Sequence, residues 1–167
     1  MKDRELILNE VKVEKTDTIV QIDIRSFFYS VNHQLLLKQV DVVAPSVMTP
    51  LTRFLSELNG SLQEKEFSTA KSIKNNCGLV LGHEVFFRLA NIYLQELDQI
   101  LDASPIVWRY YRFIDDILIV TDSPNEVIWT VESVFNRLGL VMNYDKLIVT
   151  HPGQSFKYLK HDFSNLG

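Results

Sequence analysis

The sequence predicts an α+β fold in which a mainly antiparallel sheet carries helices on one face. Two observations predict this class: a short β-branched strand precedes amphipathic helices, and a strand, tight turn and strand precede a further helix and strand. With 167 residues, 46% of them hydrophobic, the chain is long enough for one buried core and short for two. We therefore expect a single domain over residues 1–167.

The first half of the chain predicts one strand and two helices. The β-branched run TIVQIDI, residues 18–24, is typical of a strand in a covered sheet. Asn32 is suited to cap a helix, and Pro45 is suited to end it. A second helix is expected from Pro50 to Gly60, because proline is common at the first helical position and glycine just past the last.

The middle of the chain predicts an irregular connection, a long helix and a hairpin. Residues 61–76 are polar and indicate a connection within one fold. Residues 82–101 carry apolar side chains at helical spacing, which predicts one long amphipathic helix. Residues 106–121 read IVWRYYRFIDDILIVT and predict a strand, a tight turn and a strand, with Asp115 and Asp116 at the tip.

The last third of the chain predicts a helix and strands that complete the topology. Ser123 and Pro124 are suited to start a helix that Gly139 ends. Residues 147–150 predict a strand, and residues 156–163 predict a further one. This order of elements is the split βαβ pattern of ferredoxin-like folds, which many unrelated functions share.

Composition and charge exclude several classes of protein. No apolar run approaches the roughly 18 to 20 residues of a membrane span, and the start of the chain lacks the apolar core of a signal peptide, so we expect a cytoplasmic protein without membrane contact. The single cysteine, Cys77, excludes an internal disulfide, and the four histidines lack the spacing of a zinc site. The net charge of −4 argues against a domain that holds nucleic acid by itself.

Three carboxylates are expected to meet at one edge of the sheet. Asp23 leaves the first strand, which in the split βαβ order lies beside the hairpin that carries Asp115 and Asp116. Three unpaired negative charges at that range repel by an energy on the order of several kcal/mol, so a cation is expected among them. Mg²⁺ suits oxygen ligands, and two such ions about 4 Å apart activate an attacking hydroxyl and stabilise leaving pyrophosphate. An Asp pair is also common in solvated turns, so the pattern alone leaves both interpretations open.

At these residues the sequence resembles the palm domain of reverse transcriptases, over nearly the whole chain. It resembles bacterial abortive-infection and other defence-associated members more than retroviral ones, because the second motif starts with a Gly-x-x-x-Gly segment followed by Arg88. Five motifs occur in the order typical of the family: DIRSFFYSVNH (23–33), GLVLGHEVFFRLANIYLQELD (78–98), YYRFIDDILIV (110–120), LGLVMNYDKLIV (138–149) and YLKHDF (158–163).

The resemblance implies an RNA-directed DNA polymerase, which adds deoxynucleotides to a DNA primer on an RNA template. Asp23, Asp115 and Asp116 would bind two Mg²⁺ ions, for which Mn²⁺ substitutes, with the backbone carbonyl of Ile24 as a further ligand. Lys146, in the fourth motif, would protonate the leaving pyrophosphate. Without the resemblance, a lone surface lysine is a solvated charge.

The resemblance also implies contacts to the nucleotide and the primer. Arg25 would bind triphosphate oxygens, and Phe28 would lie under the nucleotide sugar and exclude a 2′-hydroxyl, although a core aromatic residue is the alternative. Gly82 would let the backbone approach the nucleotide or template closely, although a glycine at a helix start is the alternative. The primer would be held by the fifth-motif residues Tyr158, Leu159 and Lys160.

Departures from the family pattern leave alternatives open. Leu81 stands where the second motif usually has a Gln that holds nucleotide and template, so an untemplated DNA polymerase of an antiphage defence system remains an alternative. A non-catalytic palm-like interaction module is another. The fingers and thumb that family members place around the palm are expected to be largely absent, so we expect the chain to act with the remainder of a larger polymerase or with partner chains.

Overall fold

The computed structural model of the protein describes residues 4–64, 76–79 and 84–163. The chain divides into two compact units, which we name the sheet unit and the helical unit. The sheet unit comprises residues 1–25, 96–137 and 141–167, and the helical unit comprises residues 26–95 and 138–140. Over the described ranges, no helix is both long enough and apolar enough to cross a membrane. The single domain expected from the sequence stays a prediction.

The sheet unit is built on four strands in the spatial order β2-β3-β1-β4, and each neighbouring pair is antiparallel. This is the split βαβ order, so the α+β class with a mainly antiparallel sheet is confirmed. The hydrogen-bonded strands are β1 (Thr18–Ile22), β2 (Arg109–Phe113), β3 (Asp116–Thr121) and β4 (Ile148–Thr150).

The central strand β3 is buried on both faces. Ile117 and Ile119 point to one face, Leu118 and Val120 point to the other, and none of the four is more than 1% exposed. A strand covered on both faces reads as a continuous apolar run, as the sequence ILIV does here. The β-branched and apolar character of this segment is therefore a direct consequence of its central place in the sheet.

One face of the sheet is covered by a short helix and a small hairpin. Helix α1 (Arg4–Glu10) was not predicted, because seven residues are too few to show a helical period. The segment 156–163, predicted as a strand, forms a hairpin of β5 (Lys157–Tyr158) and β6 (His161–Asp162). Both elements contribute to one buried cluster with the sheet, which contains Ile7, Ile19, Leu118, Val120, Phe156 and Tyr158.

The helical unit begins with two helices near the predicted cap. A short helix α2 (Phe27–Ser30) follows Ser26. The Asn32 side chain accepts hydrogen bonds from the backbone N–H groups of residues 34 and 35, so the predicted cap of α3 (His33–Val43) is confirmed. The Nε2–H group of His33 donates to the carbonyl of Gly78 over 2.7 Å. This buried bond ties the start of α3 to a segment far along the chain.

The second predicted helix is longer than expected. Helix α4 spans Met48–Glu64, so the predicted bounds at Pro50 and Gly60 are both wrong. Pro50 lies in the first turn, where backbone N–H groups have no partner inside the helix and proline is tolerated. The helix also occupies the first four residues of the segment predicted to be irregular, 61–76. Residues 65–75 of that segment lie outside the described residues.

The long helix predicted over residues 82–101 is two helices. Helix α5 (Glu84–Tyr93) and helix α6 (Gln95–Asp102) are separated at Leu94, and residues 82 and 83 lie outside the described residues. The side chain of Gln39 donates a hydrogen bond to the carbonyl of Tyr93 over 3.2 Å, at the last residue of α5. Periodicity does not register such a break, because Leu94 keeps its apolar character and is fully buried.

The remaining predicted elements are present, with one correction at the hairpin. Helix α7 (Pro124–Leu138) is followed by Gly139 at φ 69°, as predicted. The tip of the β2–β3 hairpin, however, is Ile114–Asp115 and not Asp115–Asp116, because Asp116 pairs with Phe113 as the first residue of β3. The two aspartates therefore differ in backbone role, one in the turn and one in the strand.

Candidate active site

Three predicted aspartates lie at one end of the central strands of the sheet unit. Ile22 pairs with Ile117 across the β1–β3 ladder, so Asp23 and Asp116 leave this ladder at the same end. Asp115 precedes Asp116 in the turn. Antiparallel register thus places residues more than 90 positions apart in sequence side by side at one sheet edge.

The electrostatics of these carboxylates indicate close, incompletely compensated negative charge. The pKa of Asp115 is raised to about 6, first by burial of its carboxyl group and then by the charges of Asp116 and Asp23, against the opposing effects of its own backbone N–H and of Lys146. The pKa of Asp116 is also raised, first by partial burial of its carboxyl group and then by the charge of Asp23. Asp115 and Asp116 therefore both lie in an environment that disfavours their ionised forms.

Asp23 is held by two side chains from the segment before β4. Asn143 Nδ2 donates to Asp23 Oδ1 over 2.7 Å, and its backbone N–H donates to the Asp23 carbonyl over 2.9 Å. Lys146 Nζ donates to Asp23 Oδ2 over 2.8 Å. A single turn of 3₁₀ helix, Tyr144–Lys146, brings both donors to the same carboxylate. Sequence analysis singled out Lys146 but missed Asn143, whose only signal is an amide three residues before the lysine.

Lys146 remains protonated at neutral pH. Its hydrogen bond to Asp23 raises its pKa, and the charges of Asp23, Asp116 and Asp115 raise it further. The side chain is 64% exposed, so the ammonium group is accessible from solvent while it pairs with a carboxylate that is largely enclosed. The site therefore holds one proton donor beside three acidic groups.

The donor set fits a hard divalent cation in chemical type and in charge. Carboxylate oxygens are the preferred ligands of Mg²⁺ and Mn²⁺, and the charges of Asp116 and Asp23 add to burial in raising the pKa of Asp115, an effect that a cation would oppose. Within residues 4–64, 76–79 and 84–163, no three His, Cys, Asp or Glu side chains are grouped closely enough to hold a metal as they are oriented. Both oxygens of Asp23 are engaged, by Asn143 and by Lys146.

The next two predicted residues continue from Asp23. Ile24 forms an isolated antiparallel bridge with Met142. Of the two hydrogen bonds of this bridge, one is accepted by the Asp23 carbonyl and the other is donated by the Arg25 N–H. The bridge therefore does not engage the carbonyl of Ile24, the predicted further ligand. Arg25 pairs with Asp145 at 3.5 Å, with half of the arginine side chain exposed. An exposed pair of this kind contributes little to stability.

The turn that carries Asp115 has a strained backbone, and a hydrogen bond from a neighbouring side chain restrains it. Ile114 adopts φ 58°, a left-handed conformation that costs a β-branched residue about 1–3 kcal/mol. Arg112 Nη1 donates to the Ile114 carbonyl over 3.0 Å. The same guanidinium binds Asp98 of α6 through two nitrogens, at 2.7 and 2.5 Å. Sequence analysis assigned no role to Arg112 or Asp98, although both lie in motifs it quoted.

The predicted primer-binding residues lie on the β5–β6 hairpin. Tyr158 is 4% exposed and donates its hydroxyl to the backbone carbonyl of Asp116 over 3.0 Å, so its side chain supports the carboxylate end of β3. Burial, with the charge of Asp116, raises the pKa of Tyr158. Leu159 and Lys160 form the turn at φ 49° and 63°, and the Leu159 carbonyl accepts a hydrogen bond from Arg4. Lys160 is exposed.

Two predicted nucleotide-binding residues lie outside the sheet unit or outside the described residues. Phe28 belongs to the helical unit, is 8% exposed, and contacts the rings of Phe27 and Phe87 edge-on. That packing is the environment of a core aromatic residue, the alternative stated for it. Gly82 and Leu81 are not among the described residues. The placement of Phe28 under the nucleotide sugar and the close approach of the Gly82 backbone to nucleotide or template stay predictions.

An antiparallel split βαβ sheet with acidic residues at the end of its central strands is the arrangement of palm-like nucleotidyltransferases. The chain belongs to the reverse transcriptase family: the family model described as reverse transcriptase (RNA-dependent DNA polymerase) matches residues 2–163. None of the curated proteins compared with the chain matches it. Members of this family are polymerases that bind nucleic acids and nucleotides and use divalent metals. The family resemblance is therefore confirmed, and the likeness to defence-associated members stays a prediction.

Proposed function

We propose that this chain provides the palm catalytic centre of a reverse transcriptase, which transfers deoxynucleotides to the 3′-hydroxyl of a DNA primer on an RNA template. In this reaction the primer 3′-hydroxyl loses its proton to water, its oxygen bonds to the α-phosphorus, the bond from the α-phosphorus to the oxygen shared with the β-phosphate breaks, and pyrophosphate leaves. Asp23, Asp115 and Asp116 would hold two divalent ions, Mg²⁺ or Mn²⁺, with the Ile24 carbonyl as a further ligand. When bound, these ions stabilise the charge on the attacking and leaving oxygens.

The electrostatic coupling of three aspartates at one sheet edge is the observation that carries this proposal. A purely structural role does not account for it, because Asp115 is partly enclosed beside two like charges and its pKa is raised to about 6. Folded proteins keep such costly groups mainly where they bind or react. The non-catalytic interaction module does not require this arrangement.

The other residues of the site have roles that follow from their contacts. Lys146 keeps its proton at Nζ and delivers it to the leaving pyrophosphate as general acid. Asn143 orients the Asp23 carboxylate through a side-chain and a backbone hydrogen bond. Arg25 exchanges its exposed partner Asp145 for triphosphate oxygens. The exposed Lys160 at the hairpin turn contacts the primer backbone, and Leu159 shapes the same turn.

Nucleotide addition to an RNA-templated DNA primer, together with calorimetric titration with Mn²⁺, tests this function. We expect Asp23→Asn and Asp115→Asn to lower nucleotide addition by about 10³-fold or more, and to weaken Mn²⁺ binding. Asp122→Asn is the matched control, because Asp122 is an exposed aspartate just past the opposite end of β3. Retained addition and retained Mn²⁺ binding in both site variants would overturn the proposal.

Untemplated synthesis is a second candidate, favoured by one sequence feature. Leu81 replaces the glutamine that holds nucleotide and template in most of the family, and a leucine side chain has no hydrogen-bonding group. A defence-associated polymerase that extends DNA without copying has no need of that contact. Parallel assays with and without RNA template separate the two candidates, because only an untemplated enzyme adds nucleotides at the same rate in both.

A further inference from the structure

A partly buried ion pair joins helix α6 to the strand that leads into the Asp115 turn. Arg112 Nε lies 2.7 Å from Asp98 Oδ1, and Nη2 lies 2.5 Å from Oδ2, so the two groups meet in a two-point fork. The Arg112 side chain is only 7% exposed. Tyr110, two residues earlier on β2, donates its hydroxyl to the same Asp98 oxygen over 2.7 Å. The position of Arg112 is therefore determined by α6 as well as by β2.

The same guanidinium reaches the turn. Arg112 Nη1 donates to the carbonyl of Ile114 over 3.0 Å, and Ile114 is the residue at φ 58° immediately before Asp115. Isoleucine rarely adopts a left-handed backbone, so this turn needs an external restraint to keep its conformation. The hydrogen bond from Arg112 is a restraint of that kind, and it acts on the peptide unit that joins Ile114 to Asp115.

We propose that the Arg112–Asp98 pair is a positioning element, which holds the strained Ile114 turn so that the Asp115 carboxylate stays directed at the catalytic site. The proposal rests on the proposed function, because it assigns Asp115 to the reaction. Arg112 acts through the Ile114 carbonyl and does not touch substrate. The planar guanidinium can bind Asp98 with two nitrogens and the turn with a third, whereas a lysine ammonium has no such fork.

Arg112→Lys is the variant that tests the proposal, with Arg109→Lys as matched control. Arg109 also lies on β2 and pairs with an aspartate, Asp17 at 2.9 Å, but it pairs across the sheet with Val120 at the far end from the turn. The measurements are kcat and KM for a deoxynucleotide, Mn²⁺ affinity by calorimetry, and thermal unfolding. We expect Arg112→Lys to weaken Mn²⁺ binding and lower kcat by about 10- to 100-fold, with KM changed less than about threefold.

A rescue variant separates positioning from general stabilisation. Glycine adopts a positive φ without strain, so Ile114→Gly removes the need for the restraint. We expect Ile114→Gly in the Arg112→Lys background to recover at least about fivefold in Mn²⁺ affinity, although it restores no ion pair. A merely structural ion pair predicts no such recovery, and it predicts equal losses in Arg109→Lys and Arg112→Lys.

The outcomes also distinguish this inference from the proposed function. Wild-type Mn²⁺ affinity and kcat in Arg112→Lys, together with loss of both in Asp115→Asn, would overturn the positioning role and leave the function standing. Unchanged nucleotide addition and Mn²⁺ binding in Asp115→Asn would overturn the function itself. If Arg112→Lys does not fold, the single variant Ile114→Gly decides: the proposal expects near-wild-type kcat with the restraint intact, and a kcat loss of more than about tenfold would overturn it.

Discussion

Lys146 Nζ lies 2.8 Å from Oδ2 of Asp23, so the protein supplies a cation of its own to the acidic edge of the sheet. The charge count at this edge predicts that a cation is needed, and the lysine meets part of that need. Burial, followed by the charges of Asp116 and Asp23, raises the pKa of Asp115 to about 6 against the opposing effect of Lys146. A divalent ion at the proposed site would therefore compete with Lys146 for the Asp23 carboxylate.

Lys146→Gln is expected to bind Mn²⁺ more tightly and to react more slowly. Removing a positive charge from Asp23 favours the divalent ion, by about two- to fivefold because the lysine is largely exposed. Loss of the proton donor lowers kcat by about 10²-fold or more. Calorimetry and single-turnover nucleotide addition measure the two effects separately. Lys157→Gln, at an exposed lysine paired with Asp162 at 3.7 Å, should change neither, and weaker Mn²⁺ binding in Lys146→Gln would contradict the competition.

Asn143→Ala is expected to destabilise the protein through Asp23. The variant leaves one oxygen of a largely buried carboxylate without its donor at 2.7 Å, which costs about 1–3 kcal/mol in the free energy of unfolding. Denaturant unfolding in chelator measures this cost. Asn136→Ala, at an exposed asparagine of α7, is the control and should stay within about 0.5 kcal/mol of wild type. Equal stability of the two variants would show that Asn143 does not hold Asp23.

The pH dependence of stability should carry the signature of Asp115. Its folded pKa, about 6, is raised above the ordinary 3.8, so the group stabilises the fold fully below pH 3.8 and this contribution is lost as pH rises through about 6. In the absence of divalent ions, the free energy of unfolding of Asp115→Asn should therefore rise relative to that of wild type between pH 4 and pH 7. The expected rise is about 1 kcal/mol once solvent screening is allowed for. Denaturant unfolding of both proteins at several pH values gives this difference. A difference that stays flat across this pH range would refute the assignment.

Lys160→Gly should leave the stability of the hairpin unchanged or raise it. Lys160 has φ 63°, a conformation that costs a non-glycine residue about 1–2 kcal/mol. Glycine removes this cost, and the gain in stability outweighs or balances the larger backbone entropy of glycine in the unfolded chain. Lys157→Gly, in strand β5, is the comparison and should lower the free energy of unfolding by about 0.5–1 kcal/mol. Thermal unfolding measures the change in stability of each variant relative to wild type. The two changes should be opposite in sign or clearly separated.

Local signals in the sequence account for much of the fold. The Asn32 cap, the β-branched run of β1 and the Pro124–Gly139 boundaries of α7 all depend on neighbouring residues, and each is present in the structure. Two helix predictions failed. Glycine at position 60 does not end α4, and residues 84–102 form two helices separated at Leu94, a break that periodicity does not reveal.

The sequence by itself determined the order of elements, the reverse transcriptase motifs and the three aspartates. Hydrophobic periodicity, capping residues and acidic pairs can all be recognised within short segments of the sequence. Only the tertiary structure decided what holds those aspartates. Asn143 and Asp23 are 120 residues apart, and Arg112 and Asp98 are 14 apart on different elements. Their contacts arise from strand register and helix packing, which bring distant residues together as apolar surface is buried. The apolar residues that drive this burial do not indicate which polar side chains will meet.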